Sequence, residues 1–334
     1  MAEEAILVTG GAGYIGSHTV RHLSSEGYKV VVLDNLVYGH RDAIVDEGVE
    51  LVVGAVGDKE LLRELFEKHH FAGVIHFAAY AYVGESVSDP LKYYRNNTAE
   101  PIALLEVMAE VGCKNFVFSS TCATYGEPEK LPLTEDHPQR PMSPYGKSKL
   151  MVEWILEDCD TAWGLKSAAL RYFNASGCSQ DGVIGEDHDP ETHLIPLVLM
   201  AVQGKIPTLT VFGTDYPTPD GTCIRDYIHV EDLASAHLAA MKYLLNGGDS
   251  VRCNLGTGVG ISVKEIIDTA ESVTGQKVPV IFGERRPGDP AQLVADPAMA
   301  KEVLGWEASR KEVRPMIETA WKWVSAPHGG HFAE

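Results

Sequence analysis

The chain has 334 residues, 45% hydrophobic and 22% charged, which suits roughly two packed domains and excludes a disordered or fibrous chain. Twenty-eight Lys and Arg against 47 Asp and Glu give a net charge of −19 with no basic run, which argues against general nucleic-acid or anionic-membrane binding. The six cysteines (113, 122, 159, 178, 223, 253) form no Cys-x-x-Cys, so neither a disulfide framework nor a metal site is expected. The MAEE start and the short apolar run behind it read as neither a signal peptide nor a membrane span, and the expected location is a reducing cytoplasm.

In chain order, runs rich in Val, Ile and Phe at residues 5–9, 29–34, 50–53, 73–79, 115–120 and 167–173 predict buried parallel strands. Between them lie amphipathic stretches such as 58–69, with Leu61, Leu62, Leu65 and Phe66 on one helical face. Pro101 marks the first turn of a helix or a kink. This alternation predicts right-handed βαβ units in a doubly wound parallel sheet with helices on both faces. Beyond about residue 175 the rhythm loosens. Gly, Pro and Asp cluster at 176–190 and 213–221 as loops, with helices expected at 193–203, 231–245, 263–274 and 313–324. The division expected is 1–175 for the sheet domain and mainly 176–334 for a smaller α/β domain. Segments near 225–258 are expected to return to the sheet, with 251–255 the candidate strand.

The first strand runs into Gly10, Gly13 and Gly16, spaced Gly-x-x-Gly-x-x-Gly ahead of a helix. The first glycine permits a tight turn, the second lets the backbone approach a pyrophosphate, and the third lets helix and strand pack closely. Spacing alone is weak in a chain with 32 glycines, but the second strand ends at Asp34, 24 residues after Gly10. A carboxylate there accepts from ribose hydroxyls and repels a 2′-phosphate, which favours NAD over NADP.

Tyr145 and Lys149 are four apart, on one face of a helix opened by Ser143-Pro144. A phenol of pKa about 10 is a poor base at neutral pH, and a lysine ammonium or the positive nicotinamide ring favours its ionised form. Tyr-x-x-x-Lys alone is common on ordinary amphipathic helices. Here Ser119-Ser120-Thr121 closes a strand 24 residues before Tyr145, at the sheet edge where open α/β folds bind ligands. Asn97 reads equally as a cofactor anchor, a backbone anchor or a helix-surface residue. His76 reads as a core histidine and Cys122 as structural.

Together these residues resemble the extended short-chain dehydrogenase/reductase superfamily and, within it, the UDP-hexose 4-epimerases. The segments that carry the likeness span nearly the whole chain: VTGGAGYIGSH (8–18), LDNL (33–36), VIHFAA (74–79), VGES (83–86), SPYGKSKLMVE (143–153), LRYFNASG (170–177), ETHLIP (191–196), FGTDYPTPDGTCIRDYIHV (212–230), NLGTGVG (254–260) and RRPGDPA (285–291). The resemblance implies a Rossmann fold with a C-terminal UDP-sugar domain, a tightly held NAD, a homodimer, and interconversion of UDP-glucose and UDP-galactose through a 4-keto sugar. It implies Tyr145 as the base, Thr121 as its hydroxyl partner and Lys149 as its support. For NAD it implies Tyr14, Ile15, Asn35, Phe77, Ala78, Ala79, Asn97 and Phe173 besides the glycines, Asp34, Tyr145 and Lys149. For the nucleotide sugar it implies Thr121, Asn174, His193, Leu194, Phe212, Arg225, Arg286, Asp289 and Leu293. A diphosphate on so acidic a chain needs a cationic clamp, and guanidinium groups bind it bidentately. Strand alternation puts Arg225 and Asp226 on opposite faces, which leaves Arg225 for the ligand rather than for its neighbour.

Three positions depart from the family pattern. Gly54-Ala55 stands where a Gly-Asp pair approaches adenine, with Asp58 as a candidate substitute; Ala81 replaces a lysine; and Leu293 stands where some members carry a tyrosine over the sugar. UDP-xylose/UDP-arabinose 4-epimerisation remains the nearest alternative. A nucleotide-sugar 4,6-dehydratase needs an acid/base pair where Cys122-Ala123 lies, and a non-catalytic NAD sensor has no use for an intact Thr121, Tyr145 and Lys149.

Overall fold

The computed structural model describes residues 5–286 and 289–332. Glu3 and Glu4, and Pro287 and Gly288 of the 285–291 motif, lie outside the described residues. The first half runs β1 (Ala5–Thr9), α1 (Tyr14–Ser25), β2 (Lys29–Asp34), β3 (Glu50–Val53), α2 (Lys59–Lys68), β4 (Phe71–His76), α3 (Val83–Ser88), α4 (Pro90–Tyr94), α5 (Glu100–Val111), β5 (Asn115–Thr121), α6 (Pro144–Trp163) and β6 (Lys166–Tyr172). The second half runs β7 (Asn174–Ser176), α7 (Leu194–Val202), β8 (Leu209–Phe212), β9 (Ile224–His229), α8 (Val230–Leu245), β10 (Val251–Leu255), β11 (Gly260–Ser262), α9 (Val263–Thr274), β12 (Val280–Gly283), β13 (Gln292–Leu293), α10 (Ala298–Leu304) and α11 (Val313–Val324).

Seven strands form one parallel sheet in the order β10-β6-β5-β4-β1-β2-β3. It is the doubly wound order with β10 added beyond β6, and it reverses direction between β1 and β4. Each strand feeds both faces of the sheet. Ile6 and Val8 pack with Val20 and Leu23 of α1 and Leu233 and Leu244 of α8. Leu7 points the other way, to Leu62 and Leu65 of α2, Leu104 of α5 and Val152 of α6. Burial on both faces is why inner strands such as β1 read as unbroken apolar runs.

Helix ends follow side-chain caps. Ser143 caps α6 and Ser262 forms a capping box on α9, while Gly112, Gly164 and Gly275 end α5, α6 and α9 in the left-handed conformation. Asp58 caps α2 by accepting from the Leu61 amide at 3.1 Å, so its carboxylate has a structural use next to Ala55. Pro101 sits in the first turn of α5, directly after a π-helical turn at residues 95–99 that joins α4 to α5. The strand expected at 73–79 starts two residues earlier, at Phe71, and ends at His76, because Phe77 and Ala78 leave the ladder and both donate to the Thr9 carbonyl.

The smaller layer centres on β9, which pairs with β7, β11 and β13, and on the pair β8–β12. Its core gathers Val198 and Leu199 of α7, Ile266 of α9, Met316 and Trp323 of α11, and Tyr227. A last cluster of Tyr125, Leu133, Phe173 and Ala295, with Leu293 and Cys122 against it, bridges the two layers. Among the described residues no helix is long and apolar enough to cross a membrane.

Candidate active site

The turn between β1 and α1 lies at the strand ends where the sheet reverses. Gly10 has φ +72°, and a Cβ there would stand 2.5 Å from the Ala78 amide nitrogen. A Cβ on Gly16 would collide with the Gly10 carbonyl, so the first and third glycines are sterically required. Gly13 is the N-cap of α1 and supplies no side chain, which leaves the leading N–H groups of that helix for an anion. Tyr14 and Ile15 are the first helical residues, and the Tyr14 hydroxyl donates to the Gly177 carbonyl at 2.5 Å. Asp34 ends β2, buried, and accepts from the Ala12 amide at 2.9 Å and the Leu36 amide at 2.8 Å. Burial raises its pKa and these two bonds pull it back. Asn35 beside it is exposed, with its side chain accepting from the Val37 amide.

Phe77, Ala78 and Ala79 line the opposite wall after β4. Asn97, buried beneath them, holds the Tyr80 backbone by both edges of its amide, accepting from its N–H and donating to its carbonyl at 2.9 Å each. It also donates to Ser148 of α6 at 3.3 Å, so its side chain braces the wall. This cradle, with a bare helix N-terminus and an acidic strand end, fits a dinucleotide diphosphate and its adenosine ribose.

Thr121 closes β5, the strand beside central β4. Its hydroxyl accepts from the Ala123 amide at 3.1 Å and caps the short turn that follows. That turn packs on the helix carrying Tyr145: a Cβ on Gly146 would lie 2.6 Å from the Ala123 carbonyl. Gly146 therefore sets how near Thr121 comes to Tyr145, a role that spacing in the sequence does not reveal. Burial pushes the Tyr145 phenol up to about 12, and the Thr121 side chain draws it back. Lys149 is buried one turn along, donates from Nζ to the Ser119 carbonyl at 2.8 Å, and stands 5.0 Å from the Phe118 ring centre. Burial brings its pKa down to about 7. His76 is a core residue, as its setting in the sequence suggests: its Nδ1 lies 2.7 Å from the Thr9 hydroxyl and burial lowers it to about 3. Burial likewise pushes the Cys122 thiol up to about 12, far from an acid/base role at neutral pH.

The residues expected at the sugar nucleotide come from several elements. Phe173 follows β6, buried in the bridging cluster, and Asn174 donates to the Asp226 carbonyl at 3.1 Å. Arg225 and Asp226 do diverge on β9. The Asp226 carboxylate is buried and accepts from the Thr257 and Gly258 amides, whereas Arg225 pairs with Asp289 and donates to the Pro290 carbonyl at 2.8 Å. Arg286 lies over the Phe212 ring at 4.1 Å. Leu293 is the β13 partner of Arg225. His193 and Leu194 open α7, with His193 held by Glu186 and Glu191.

Residues 6–256 match the NAD dependent epimerase/dehydratase family. The UDP-glucose 4-epimerase of Lacticaseibacillus casei is 50% identical over 318 residues, 95% of this chain and 96% of the relative. The crystal structure of UDP-glucose 4-epimerase from Brucella ovis in complex with NAD superposes with a TM-score of 0.93 at 50% identity, covering 98% of each chain. The enzyme of the same name from Bifidobacterium longum, in complex with NAD+ and UDP, gives 0.91 at 38% identity over 98% of this chain and 100% of that one. Similarity at this level runs through both layers of the fold, and the chain belongs to the NAD dependent epimerase/dehydratase family, among its UDP-glucose 4-epimerases.

Proposed function

We propose that the chain interconverts UDP-glucose and UDP-galactose by oxidising and re-reducing C4 of the bound sugar. The observation that supports this reading is the contact of the Thr121 turn with Gly146, the neighbour of Tyr145, with Lys149 buried one turn along the same helix. The β1–α1 turn with Asp34 would hold NAD, which when bound would supply the hydride acceptor and donor for C4. Tyr145 takes the O4 proton and gives it back once the 4-keto sugar has turned over, and Thr121 shares a hydrogen bond with O4. Lys149 opposes the negative charge that forms on the phenol. Arg225 and Arg286 frame the diphosphate, with Phe212, Asn174, His193, Leu194 and Asp289 around the uridine and sugar. The chain divides functionally at about residue 175, with NAD held by the first part and most UDP-sugar contacts supplied by the second.

All six cysteines are free thiols, which suits the cytoplasm. The outer faces of α5 and α6 expose Ile102, Val111, Met151 and Trp154, which suits pairing with a second copy into a homodimer. The test is conversion of UDP-galactose to UDP-glucose by the purified chain, with UDP-xylose in parallel. Failure to convert either hexose with NAD present overturns the reading, and faster turnover of UDP-xylose moves it to the pentose. Asp34 also requires that denatured, freshly isolated protein release NAD rather than NADP.

A further inference from the structure

Away from Thr121, Tyr145 and Lys149, the loop between β7 and α7 gathers Glu186, His188, Glu191 and His193. One ligand atom from each lies within 4.8 Å of all the others. The Glu186 side chain is 5% exposed, and its Oε1 stands 2.8 Å from His193 Nδ1 and 3.2 Å from His188 Nδ1. His193 Nδ1 is 3.0 Å from Glu191 Oε1, and His188 Nδ1 is 3.7 Å from Glu191 Oε2. We propose that these four residues form a binding site for a divalent transition ion of the zinc class.

Hydrogen-bond geometry distinguishes an ion from shared protons. Protons would place nitrogen and oxygen along hydrogen-bond lines, and only the His193–Glu191 contact has that geometry. Glu186 Oε1 and His188 Nδ1 are both buried without a hydrogen-bond partner despite their short separation. Neither atom is satisfied by its neighbour, which leaves both available to a common ion. A four-coordinate ion with bonds of about 2.0–2.1 Å sets its ligand atoms about 3.3 Å apart, in the middle of the range found here. Two imidazoles with two carboxylates suit zinc and its first-row neighbours, whereas magnesium and calcium prefer all-oxygen sets. Two carboxylates also supply the charge that a divalent ion balances.

The surroundings hold the ligands in place. The Thr192 and His193 amides donate to Glu191 Oε1 at 2.6 and 2.7 Å, and the rings of Tyr14 and Tyr82 stand edge-on to His188 at 6.2 and 6.1 Å. Asp187 is not part of the set, since its carboxylate already accepts from the Phe332 amide at 2.9 Å and lies 2.8 Å from His331 Nδ1. An ion here ties the loop to the Tyr14 turn of the cofactor cradle. It occupies Nδ1 of His193 and leaves Nε2 of that ring for a substrate.

The test uses the NAD-containing protein stripped of metal with a chelator and titrated with zinc chloride by calorimetry. The expected result is one ion per chain with a dissociation constant below about 1 μM. His188→Ala and Glu186→Gln should each weaken binding at least tenfold, while His70→Ala on the exposed surface should not. Unchanged binding in His188→Ala, or no saturation at one ion per chain, overturns the site. If the variants fail to fold, the cobalt-loaded wild type decides. A visible band several-fold stronger than that of the aqua ion supports the site, and an aqua-like spectrum overturns it.

Discussion

Arg171 and Glu153 meet in the core through two parallel bonds, Nη2 to Oε2 at 2.6 Å and Nε to Oε1 at 3.0 Å, with each side chain 1% exposed. Ser120 donates to the same carboxylate, and Arg171 Nη1 donates to the Tyr125 hydroxyl at 2.9 Å. That hydroxyl donates in turn to Asn254 at 2.6 Å. The network therefore ties β5, β6 and β10 to α6, the helix that carries Tyr145 and Lys149. Every partner is satisfied, so the buried charges are tolerable, and removing one leaves the other uncompensated. Arg171→Met should lower the unfolding free energy by about 3–5 kcal/mol in urea denaturation, and adding Glu153→Leu should recover most of it. A cost below about 1 kcal/mol for the single variant would show that the pair does not hold these elements together.

Tyr145→Phe keeps the ring and removes the group that takes the O4 proton. Turnover should fall by roughly 10²–10⁴ while bound NAD per chain stays the same. Retention of more than about a tenth of the wild-type rate excludes Tyr145 as the base.

Gly146→Ala tests the approach of the Thr121 turn. The new methyl meets the Ala123 carbonyl at 2.6 Å, so the turn must shift by several tenths of an ångström. Misplacement of a reacting group by about 1 Å costs on the order of 10² in rate, so kcat should drop at least tenfold with NAD content retained. An unchanged kcat means that the turn relaxes without moving Thr121.

Lys149 predicts a pH dependence of stability. Its pKa is about 7 in the fold against 10.5 for an ordinary lysine, because burial disfavours the charge. Between those values the unfolded chain holds the extra proton, so folding gains stability as pH rises from 7 to 10, while the full penalty applies below 7. In nucleotide-stripped protein, the stability of the wild type relative to Lys149→Met should therefore shift towards the wild type over that interval, by up to about 1.4 kcal/mol per pH unit. A difference that stays constant with pH removes the argument.

Leu293 packs against the cluster that contains Phe173 and Tyr125, and its strand partner is Arg225. At that place a leucine leaves room that a phenol would fill. We expect slower but measurable turnover of UDP-N-acetylgalactosamine, and suppression of it in Leu293→Tyr with UDP-galactose turnover spared. The margin is modest, since one methylene of pocket volume is worth about 1–3 kcal/mol. Absence of the N-acetyl activity, or its survival in the tyrosine variant, refutes the placement of Leu293 at the sugar.

The parts of the molecule that were legible in the sequence are those with one dominant local cause. Strands at 5–9 and 29–34 match their expected bounds because burial on both faces leaves an unbroken apolar run, and the partly buried edge strands at 50–53 and 251–255 match theirs as well. Caps such as Asp58 and Ser143 mark helix starts for the same kind of reason. Short strands such as β7, β11 and β13 were not legible, since two or three residues carry no period and owe their pairing to β9. The Tyr145–Lys149 spacing indicated a shared helical face, but the hold of Ser119 on the lysine is a contact across the sheet. Cysteine spacing says nothing of the histidines and glutamates of 186–193. Only the folded loop brings one ligand atom of each within 4.8 Å of the others.

β10 is the last strand of the large sheet to be synthesised, and it lies on the outer edge of β6, Val251 beside Ala168 and Leu255 beside Tyr172. A nascent chain that has emerged as far as Tyr172 thus presents an open parallel edge with unpaired amides and carbonyls. The edge closes only after the ribosome has added all the intervening segments, most of which fold into the smaller layer. During that interval β6 is open to pairing with a neighbouring nascent chain, and a product truncated before residue 251 retains that exposure permanently.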